Sequence, residues 1–156
     1  MSVNVSTGFR ARLLGPQSFE QIFGGGCIEI RSGVQPAHAD MAVVGTLLGR
    51  ITANGAVWTP GSSVNGLTFN RAGHRITNPA APPWVLDGLA SGMATWFRLR
   101  GVTDNGLLST AAPRIDGAIG QLEDEGDFQM LLPTTAISAS TAIPIASWWF
   151  VFPPLD

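Results

Sequence analysis

The sequence contains no lysine and only one cysteine, and each shortage limits what the chain can do. All nine basic residues are arginines, scattered along 156 residues. Arginine forms planar, bidentate pairs, whereas lysine is mostly a solvated point charge, so the bias suits polar contacts at interfaces. A GC-rich genome would produce the same bias without structural meaning. The lone Cys27 excludes an intramolecular disulfide and a thiolate metal cluster, and we expect it to be a small buried core residue.

Charged residues of either sign are also scarce, at 13% of the chain. Few charges leave much of the surface neutral, and neutral surface tends to associate, so the composition favours a homo-oligomer or another protein partner. The net charge of -2 provides no electrostatic footprint for nucleic acid or an anionic membrane. No apolar run reaches about 18 residues, and residues 1–12 lack the apolar stretch of a secretory signal. We therefore expect a soluble protein with no membrane or nucleic-acid partner.

Turn residues and alternating hydrophobicity predict a mostly β fold. The chain has 19 glycines and 11 prolines, which indicates frequent turns and few long helices. From Cys27 onward, apolar and polar residues alternate in about nine short segments, with Ile28 and Ile30 facing inward and Glu29 and Arg31 outward. No helices alternate with these segments, which excludes a parallel α/β fold. We predict one antiparallel β-sandwich over residues 27–156, with a jelly roll as a candidate topology.

Residues 1–26 are predicted to form a short helical arm that lies over one end of the sheet. Ser6 and Thr7 can cap a helix that ends at Gly15-Pro16, and a second helical turn precedes the three glycines at 24–26.

Four further segments carry specific strand predictions. Asn54-Gly55 lies between two extended runs and predicts a β-hairpin that joins residues 46–53 to 56–59. Residues 92–102 are predicted as one continuous strand, and residues 84–88 as an edge strand. Residues 142–152 are predicted as a final strand that is apolar on both faces.

The sequence contains no residue pattern typical of catalysis or metal binding. Catalysis needs a base near a nucleophile, paired carboxylates or a metal. His38, Asp40 and His74 could hold a metal only if the fold brought them together, and their spacing matches no ligand pattern. The acidic run at 123–127 lacks the ligand spacing of a calcium loop, so we expect a solvated turn. We therefore predict a non-enzymatic protein with no cofactor and no metal.

The predicted final strand must be either central in a two-layer fold or covered by another chain, because both of its faces are apolar. Tryptophan and phenylalanine dominate interface energetics when two partners share them. We take as interface candidates the aromatic residues of this strand, a tryptophan in a proline-rich loop and two arginines of residues 92–102 as polar contacts. These are Trp148, Trp149, Phe150, Phe152, Trp84, Arg98 and Arg100. Two alternatives are that most tryptophans are core, or that Trp84 and Trp58 bind a sugar with Asp87.

Several short motifs occur in a distinctive order. They are Val5-Ser6-Thr7-Gly8-Phe9-Arg10, Ile28-Glu29-Ile30-Arg31-Ser32-Gly33, Gln35-Pro36-Ala37-His38-Ala39-Asp40, Gly45-Thr46-Leu47-Leu48 and Gly92-Met93-Ala94-Thr95-Trp96-Phe97-Arg98-Leu99. The ordered set resembles a family of small tailed-bacteriophage virion structural proteins, described as decoration or tail-associated. Arg31 stands where that family often has tyrosine, and the Trp148-Trp149-Phe150 run is unusually aromatic.

The resemblance implies a β-sandwich that coats or connects parts of a virion and has no catalytic residues. The first expectation is a capsid decoration (cement) protein, made in the host cytoplasm and bound in many copies to the major capsid protein or other virion proteins. The alternative is a tail or tail-fibre component. A carbohydrate-binding module is a third hypothesis, from a different class of function.

Overall fold

The computed structural model of the protein describes residues 3–124, 126 and 129–151. The helices are α1 (Thr7–Leu13) and α2 (Phe19–Phe23). The strands are β1 (Asn4–Val5), β2 (Cys27–Arg31), β3 (Leu47–Ala53), β4 (Asn70–Ala72), β5 (Arg75–Thr77), β6 (Trp84–Gly88), β7 (Gly92–Met93), β8 (Trp96–Arg100), β9 (Arg114–Gln121), β10 (Met130–Leu132), β11 (Ala136–Ile137), β12 (Ala142–Pro144) and β13 (Trp149–Val151). The predicted class, mostly β with antiparallel sheets and a short N-terminal helical segment, is confirmed. Within the described residues, no helix has the length and apolarity needed to cross a membrane.

The main sheet is open and has the order β1-β9-β8-β2-β3-β6-β12, with antiparallel pairing along this path. A further strand, β10, pairs in parallel with the end of β9. The register of the central strands of the main sheet aligns residues of like polarity, because directly opposed residues on neighbouring strands point to the same face. One row across the central strands is polar and another is apolar. The polar row is Arg50, Glu29, Arg98 and Asp116, and the apolar row is Ile51, Ile28, Leu99 and Ile115.

The apolar face of the main sheet packs against both helices and a small sheet of order β13-β5-β4. Phe19 of α2 is central to this packing. Its ring lies 4.9 Å from that of Phe23 and 5.1 Å from that of Phe150 on β13, between ring centroids. Phe9 of α1 joins the same cluster, 5.1 Å from Phe23. The segment 1–26, predicted as an arm, therefore contributes three phenylalanines to the main hydrophobic core.

Serine residues begin both helices, as the sequence indicates for α1. The Ser6 hydroxyl accepts a hydrogen bond from the Phe9 amide at 3.1 Å. Ser18 forms a reciprocal capping box with Gln21 at the start of α2. Such side-chain caps satisfy amides of the first turn that have no partner within the helix. The prediction of a capped helix after Ser6 is confirmed.

The predicted hairpin at Asn54-Gly55 is wrong, although the turn itself is present. Both residues have positive φ values, of 58° and 69°, which is the conformation that the dipeptide favours. However, β3 is already paired with β2 on one side and with β6 on the other. Residues 56–59 therefore have no free edge of β3 to join, and the chain leaves the sheet. It returns as β6, which lies between β3 and β12 and is not the predicted edge strand.

The two long strands predicted late in the chain are each divided. Residues 92–102 form β7 and β8, with the Ala94 amide bonded to Thr135 and the Thr95 amide to Arg31. Residues 142–151 form β12 in the main sheet and β13 in the small sheet. The break follows Pro144, which lacks an amide hydrogen to donate to a ladder. Apolar residues on both faces of this run thus reflect a change of sheet within one chain.

Cys27 is buried at the start of β2, as predicted. Burial, reinforced by the nearby Glu29 carboxylate, raises the pKa of its thiol to about 12. The neutral thiol is therefore a packing group in this environment.

Candidate functional site

The second face of the main sheet buries a group of charged side chains. They are Glu29, Arg31, Arg98, Arg100, Asp104, Arg114 and Asp116. Alternate residues of a strand share a face, so β2, β8 and β9 each contribute two of them, and Asp104 comes from the loop after β8. Together with the half-buried Arg50 of β3, we call this set the arginine–carboxylate network.

Glu29 is the centre of the network. Its Oε2 accepts hydrogen bonds from Nε and Nη2 of Arg31 at 3.0 and 2.9 Å. Its Oε1 accepts from Arg100 at 2.5 Å and from Arg50 at 3.2 and 3.3 Å. Three guanidinium groups from three strands therefore surround one carboxylate, which ties β2, β3 and β8 together through their side chains.

Two further pairs extend the network across β9. Arg98 donates two hydrogen bonds to Asp116, at 2.7 and 2.6 Å, and both side chains are fully buried. Arg114 donates two to Asp104, at 2.8 and 2.6 Å, in an equally buried pair. Each pair is bidentate, which matches the planar fork of arginine to a carboxylate and makes these the strongest contacts of this type.

The electrostatic surroundings of the three carboxylates differ. Burial raises the pKa of Glu29, but the attraction of Arg100 and Arg31 outweighs burial and holds it below its ordinary value. The pKa of Asp104 is lowered in the same way, because hydrogen bonds from Arg114 and the Gly106 amide outweigh burial. Burial prevails at Asp116 and raises its pKa, despite the hydrogen bonds from Arg98.

The network also holds two surface loops, because it contains five arginines and only three carboxylates. Each guanidinium has five N–H donors, more than these carboxylates can accept. Several of the remaining donors bind backbone carbonyls of the loops at 32–46 and 101–113. Arg114 donates to the carbonyls of Ala39, Asp40 and Met41 at 3.0–3.2 Å and to that of Leu107 at 2.5 Å. Arg98 donates to Met41 at 2.9 Å, and Arg31 to Gly45 at 3.2 Å.

Tryptophan rings cover the ends of the network. The guanidinium carbon of Arg100 lies 5.2 Å from the centroid of Trp58, and that of Arg98 lies 5.7 Å from Trp96. Cations over an indole face are attracted by its quadrupole, more strongly where water is excluded. The Trp58 indole is itself fixed by a 2.7 Å hydrogen bond to the Gly25 carbonyl.

The two loops are bound to each other and present apolar side chains to solvent. The Val43 amide donates to the Gly106 carbonyl at 2.9 Å, and the Ser109 amide donates to Asp40 at 2.8 Å. Leu107 and Leu108 are 63% and 75% exposed at the surface of this pair of loops. Met41 and Val44 on the neighbouring loop are also exposed. We call Met41, Val44, Leu107 and Leu108 the loop patch.

The predicted interface residues separate into two regions. Arg98 and Arg100, expected as polar contacts with a partner, are buried and bind acceptors within the chain, so the structure gives them a role within the fold. Trp84 is buried in the core, and Trp148 is half-buried against it, with ring centroids 5.2 Å apart. Phe150 is half-buried and stacks on Phe19. Trp149 is 59% exposed, and Phe152 lies outside the described residues.

The structure also places the residues of the other hypotheses. Trp58 and Trp84 are both buried, which leaves no ring face for stacking on a sugar. His38 and His74 are exposed on different loops, and Asp40 accepts hydrogen bonds from the Thr7 amide and hydroxyl at 2.8 and 2.6 Å. In the part of the chain that the structure describes, no three His, Cys, Asp or Glu side chains are grouped to hold a metal ion.

The network was not predicted from the sequence, although one signal was present. Glu29 and Arg31 were predicted to face outward because they alternate with apolar residues, and Arg98 and Arg100 were predicted to be polar interface contacts. They do point away from the apolar core, but the loops at 32–46 and 101–113 cover them. Oppositely charged residues at alternate positions of separate predicted strands, in a chain poor in charge, are the pattern that could have indicated pairing.

The five ordered motifs contact one another in the structure. Thr7 of the first motif binds Asp40 of the third. Ser32 of the second exchanges hydrogen bonds with Thr46 of the fourth, at 3.1 and 3.2 Å. The Thr95 hydroxyl of the fifth donates to the Gly33 carbonyl at 2.6 Å. The motifs therefore contribute Glu29, Arg31 and Arg98 of the network and much of the loop at 32–46.

Comparisons of the chain with protein-family models, curated proteins and solved structures found no match. The resemblance to phage virion proteins stays a prediction that rests on the ordered motifs.

Proposed function

We propose that this chain is a structural protein of a tailed-bacteriophage virion, and specifically a capsid decoration protein that binds the major capsid protein in many copies. The observation that carries the proposal is the loop patch. Two loops present apolar side chains to solvent while buried arginines hold their backbones in place. Such a surface supplies apolar area for packing against another protein, and this function requires no catalytic residues.

A cement protein gains from a binding surface that is already ordered. Surface loops are usually mobile, and ordering them on binding costs free energy. Here the Arg114 guanidinium alone binds four carbonyl groups of the two loops. The loops are therefore held in one arrangement before any partner arrives, and the loop patch can use its apolar area for affinity.

The motifs that carry the phage resemblance support the same function. They include Glu29 and Arg31 of the network, Asp40 and Gly45 of the loop at 32–46, and Arg98 beneath it. Motif residues that frame a surface are expected of a packing protein, whereas an active site would place such residues around an accessible cavity.

The distribution of charge further favours association. Charged residues make up only 13% of the sequence, and seven of them are buried in the network. The surface is consequently poorer in charge than the composition suggests. A neutral surface with exposed leucines loses little solvation free energy when it is covered by another protein.

The first test is the copy number of this chain in purified virions of the phage whose genome encodes it. Quantitative mass spectrometry should find it in a number comparable with the major capsid protein. A number far below that would indicate a tail or tail-fibre location instead. Absence of the chain from the virion would refute both.

The second test concerns the loop patch. The double variant Leu107→Ser/Leu108→Ser should bind heads that lack this chain at least tenfold more weakly in co-sedimentation, because each leucine contributes about 1.5–3 kcal/mol when buried. The matched control is Val57→Ser, which changes an equally exposed apolar side chain on another loop. Equal binding by both variants would exclude the loop patch as the contact surface.

A further inference from the structure

A second apolar surface lies at the opposite side of the main sheet from the loop patch. It is a groove of about 310 Å³ between the small sheet and the end of β9 and β10. Three of its lining side chains are unusually exposed for apolar residues: Trp149 by 59%, Leu122 by 62% and Leu131 by 44%. We infer that this groove is the centre of a two-fold symmetric interface between two copies of this chain.

The alternation along β13 explains why a tryptophan faces solvent here. Trp148 and Phe150 turn toward the core, so Trp149 between them must point away from it. Tryptophan is enriched at the centre of protein interfaces because it buries a large area with few rotatable bonds. Trp149 therefore has the chemistry and the exposure of an interface anchor.

Charges of opposite sign neighbour the lining residues Trp149 and Leu122, outside the groove itself. Trp149 is opposite Thr77 in the small sheet, and Arg75 lies two residues before Thr77, so Arg75 shares the face of Trp149. On the other side, Leu122 is followed directly by the exposed Glu123 and Asp124. Among the described residues, none of these three charged groups takes part in an ion pair within the chain.

This order of charges makes the surface complementary to itself. A two-fold axis in the interface, perpendicular to the line from Arg75 to Glu123, exchanges the two sides of the groove. It places Arg75 of each copy against the acidic side of the other, and each Trp149 ring against the side of the partner that carries Leu122. An isologous contact of this kind uses one patch on both subunits and closes at a dimer. A second copy of this chain is thus the occupant whose charges match.

The inference does not depend on the proposed function. The groove lies at the apolar face of the sheet, whereas the loop patch covers the polar face. A dimer formed through the groove would leave both loop patches free for another partner. A chain that is absent from virions and still dimeric would refute the proposed function and leave this inference standing.

The test is the dissociation constant of the isolated full-length chain, measured by sedimentation equilibrium. We expect a monomer–dimer equilibrium, with Trp149→Ala weakening the dimer at least tenfold. Arg75→Glu and Glu123→Arg should each weaken it, and the double variant Arg75→Glu/Glu123→Arg should restore it to near the native constant. The matched control is Arg10→Glu, a reversal on the exposed side of α1 that should leave the constant unchanged.

Hydrogen–deuterium exchange on the native chain gives a readout that requires no variant. Raising the concentration across the dimer transition should slow exchange at residues 122–124 and at Trp149. A chain that stays monomeric at all accessible concentrations overturns the inference. So does a dimer that is indifferent to Trp149→Ala and to both charge reversals, or one whose new protection lies only elsewhere.

Discussion

At the scale of single residues, the buried pairs decide what a substitution costs. Removing one partner of a buried ion pair leaves an uncompensated charge and typically costs about 3–5 kcal/mol. Replacing both partners by apolar side chains of similar volume is often close to neutral. Arg98 and Asp116 form the most isolated pair of the network, since Asp116 accepts its side-chain hydrogen bonds from Arg98 alone among the described residues.

We therefore expect Arg98→Met to lower the free energy of unfolding by about 3–5 kcal/mol. The double variant Arg98→Met/Asp116→Leu should lose clearly less than the single variant. Urea denaturation followed by circular dichroism measures both. Arg10→Met is the control, an exposed arginine whose replacement should change stability by no more than about 0.5 kcal/mol. A double variant with a lower free energy of unfolding than Arg98→Met would show that the ion pair stabilises the fold more than apolar side chains at the same two positions.

The network also predicts how stability depends on pH. The folded-state pKa of Glu29 is lowered, so its contribution is present above the unfolded-state pKa of about 4.3 and is lost as pH falls through the folded value. Asp104 acts in the same direction. The raised pKa of Asp116 acts in the opposite direction, because its contribution is present at low pH and is lost as pH rises through the folded value.

Glu29→Gln should accordingly make the protein less stable at neutral pH and flatten the fall in stability below about pH 5. Urea midpoints measured between about pH 7 and about pH 2.5 test this. An unchanged slope in the variant would mean that Glu29 titrates alike in the folded and unfolded chain. Glu20→Gln, on the exposed face of α2, serves as the control.

At the scale of elements, one hydroxyl joins three parts of the fold. The Ser6 Oγ accepts from the amides of Phe9 and Arg114, at 3.1 and 2.8 Å, and donates to the Ala112 carbonyl at 2.8 Å. It therefore caps α1, binds the first residue of β9 and fixes the end of the loop at 101–113. Ser18, which caps α2, has no comparable set of contacts outside its own helix among the described residues.

Ser6→Ala should lower the free energy of unfolding by about 2–3 kcal/mol, because it removes a helix cap and leaves the buried Arg114 amide without an acceptor. Ser18→Ala is a matched control that removes only an exposed cap, with an expected cost of about 1 kcal/mol. Thermal or urea unfolding of the two variants compares them directly. Equal costs would show that the contacts of Ser6 with β9 and the loop add nothing.

The same elements show which parts of the fold can be predicted. Alternation located β2 correctly, and the turn at Asn54-Gly55 was also correct, because these signals act within a few residues. The predicted pairing of β3 with residues 56–59 was wrong. The actual partner, β6, lies about 30 residues further along the chain, and pairing at that distance depends on the whole sheet.

The candidate site was harder to predict than the sheet. Period-two alternation shows that a strand has two faces, but it does not show what covers the second one. The loop at 32–46 has no periodicity to indicate that it folds back over Glu29 and Arg98. Its position depends on backbone carbonyls that bind arginine side chains, and every residue has such a carbonyl. Of the six predicted interface residues that the structure describes, Trp149 is the most exposed.

At the scale of the whole molecule, the main sheet is covered by two different kinds of interaction. Helices and aromatic side chains cover one face through hydrophobic burial, and the loops cover the other through charged hydrogen bonds. In this arrangement, charged side chains are buried in the interior and several apolar side chains are exposed at the surface. Both the loop patch and the groove around Trp149 follow from it, at opposite sides of one sheet.

The N-terminal helices determine whether residues 27–156 can fold on their own. Four apolar side chains of residues 1–26 are buried in the main core: Phe9, Phe19, Ile22 and Phe23. At about 1.5–3 kcal/mol each, they contribute about 6–12 kcal/mol, which is comparable with the total stability of a typical domain. A chain limited to residues 27–156 should therefore show no cooperative urea transition and should expose its aromatic core to hydrophobic dyes. A chain that lacks only residues 1–3 should unfold like the full protein. If residues 27–156 alone unfolded cooperatively within about 1 kcal/mol of the full chain, the helices would be a dispensable arm and the core would be centred on the sheet alone.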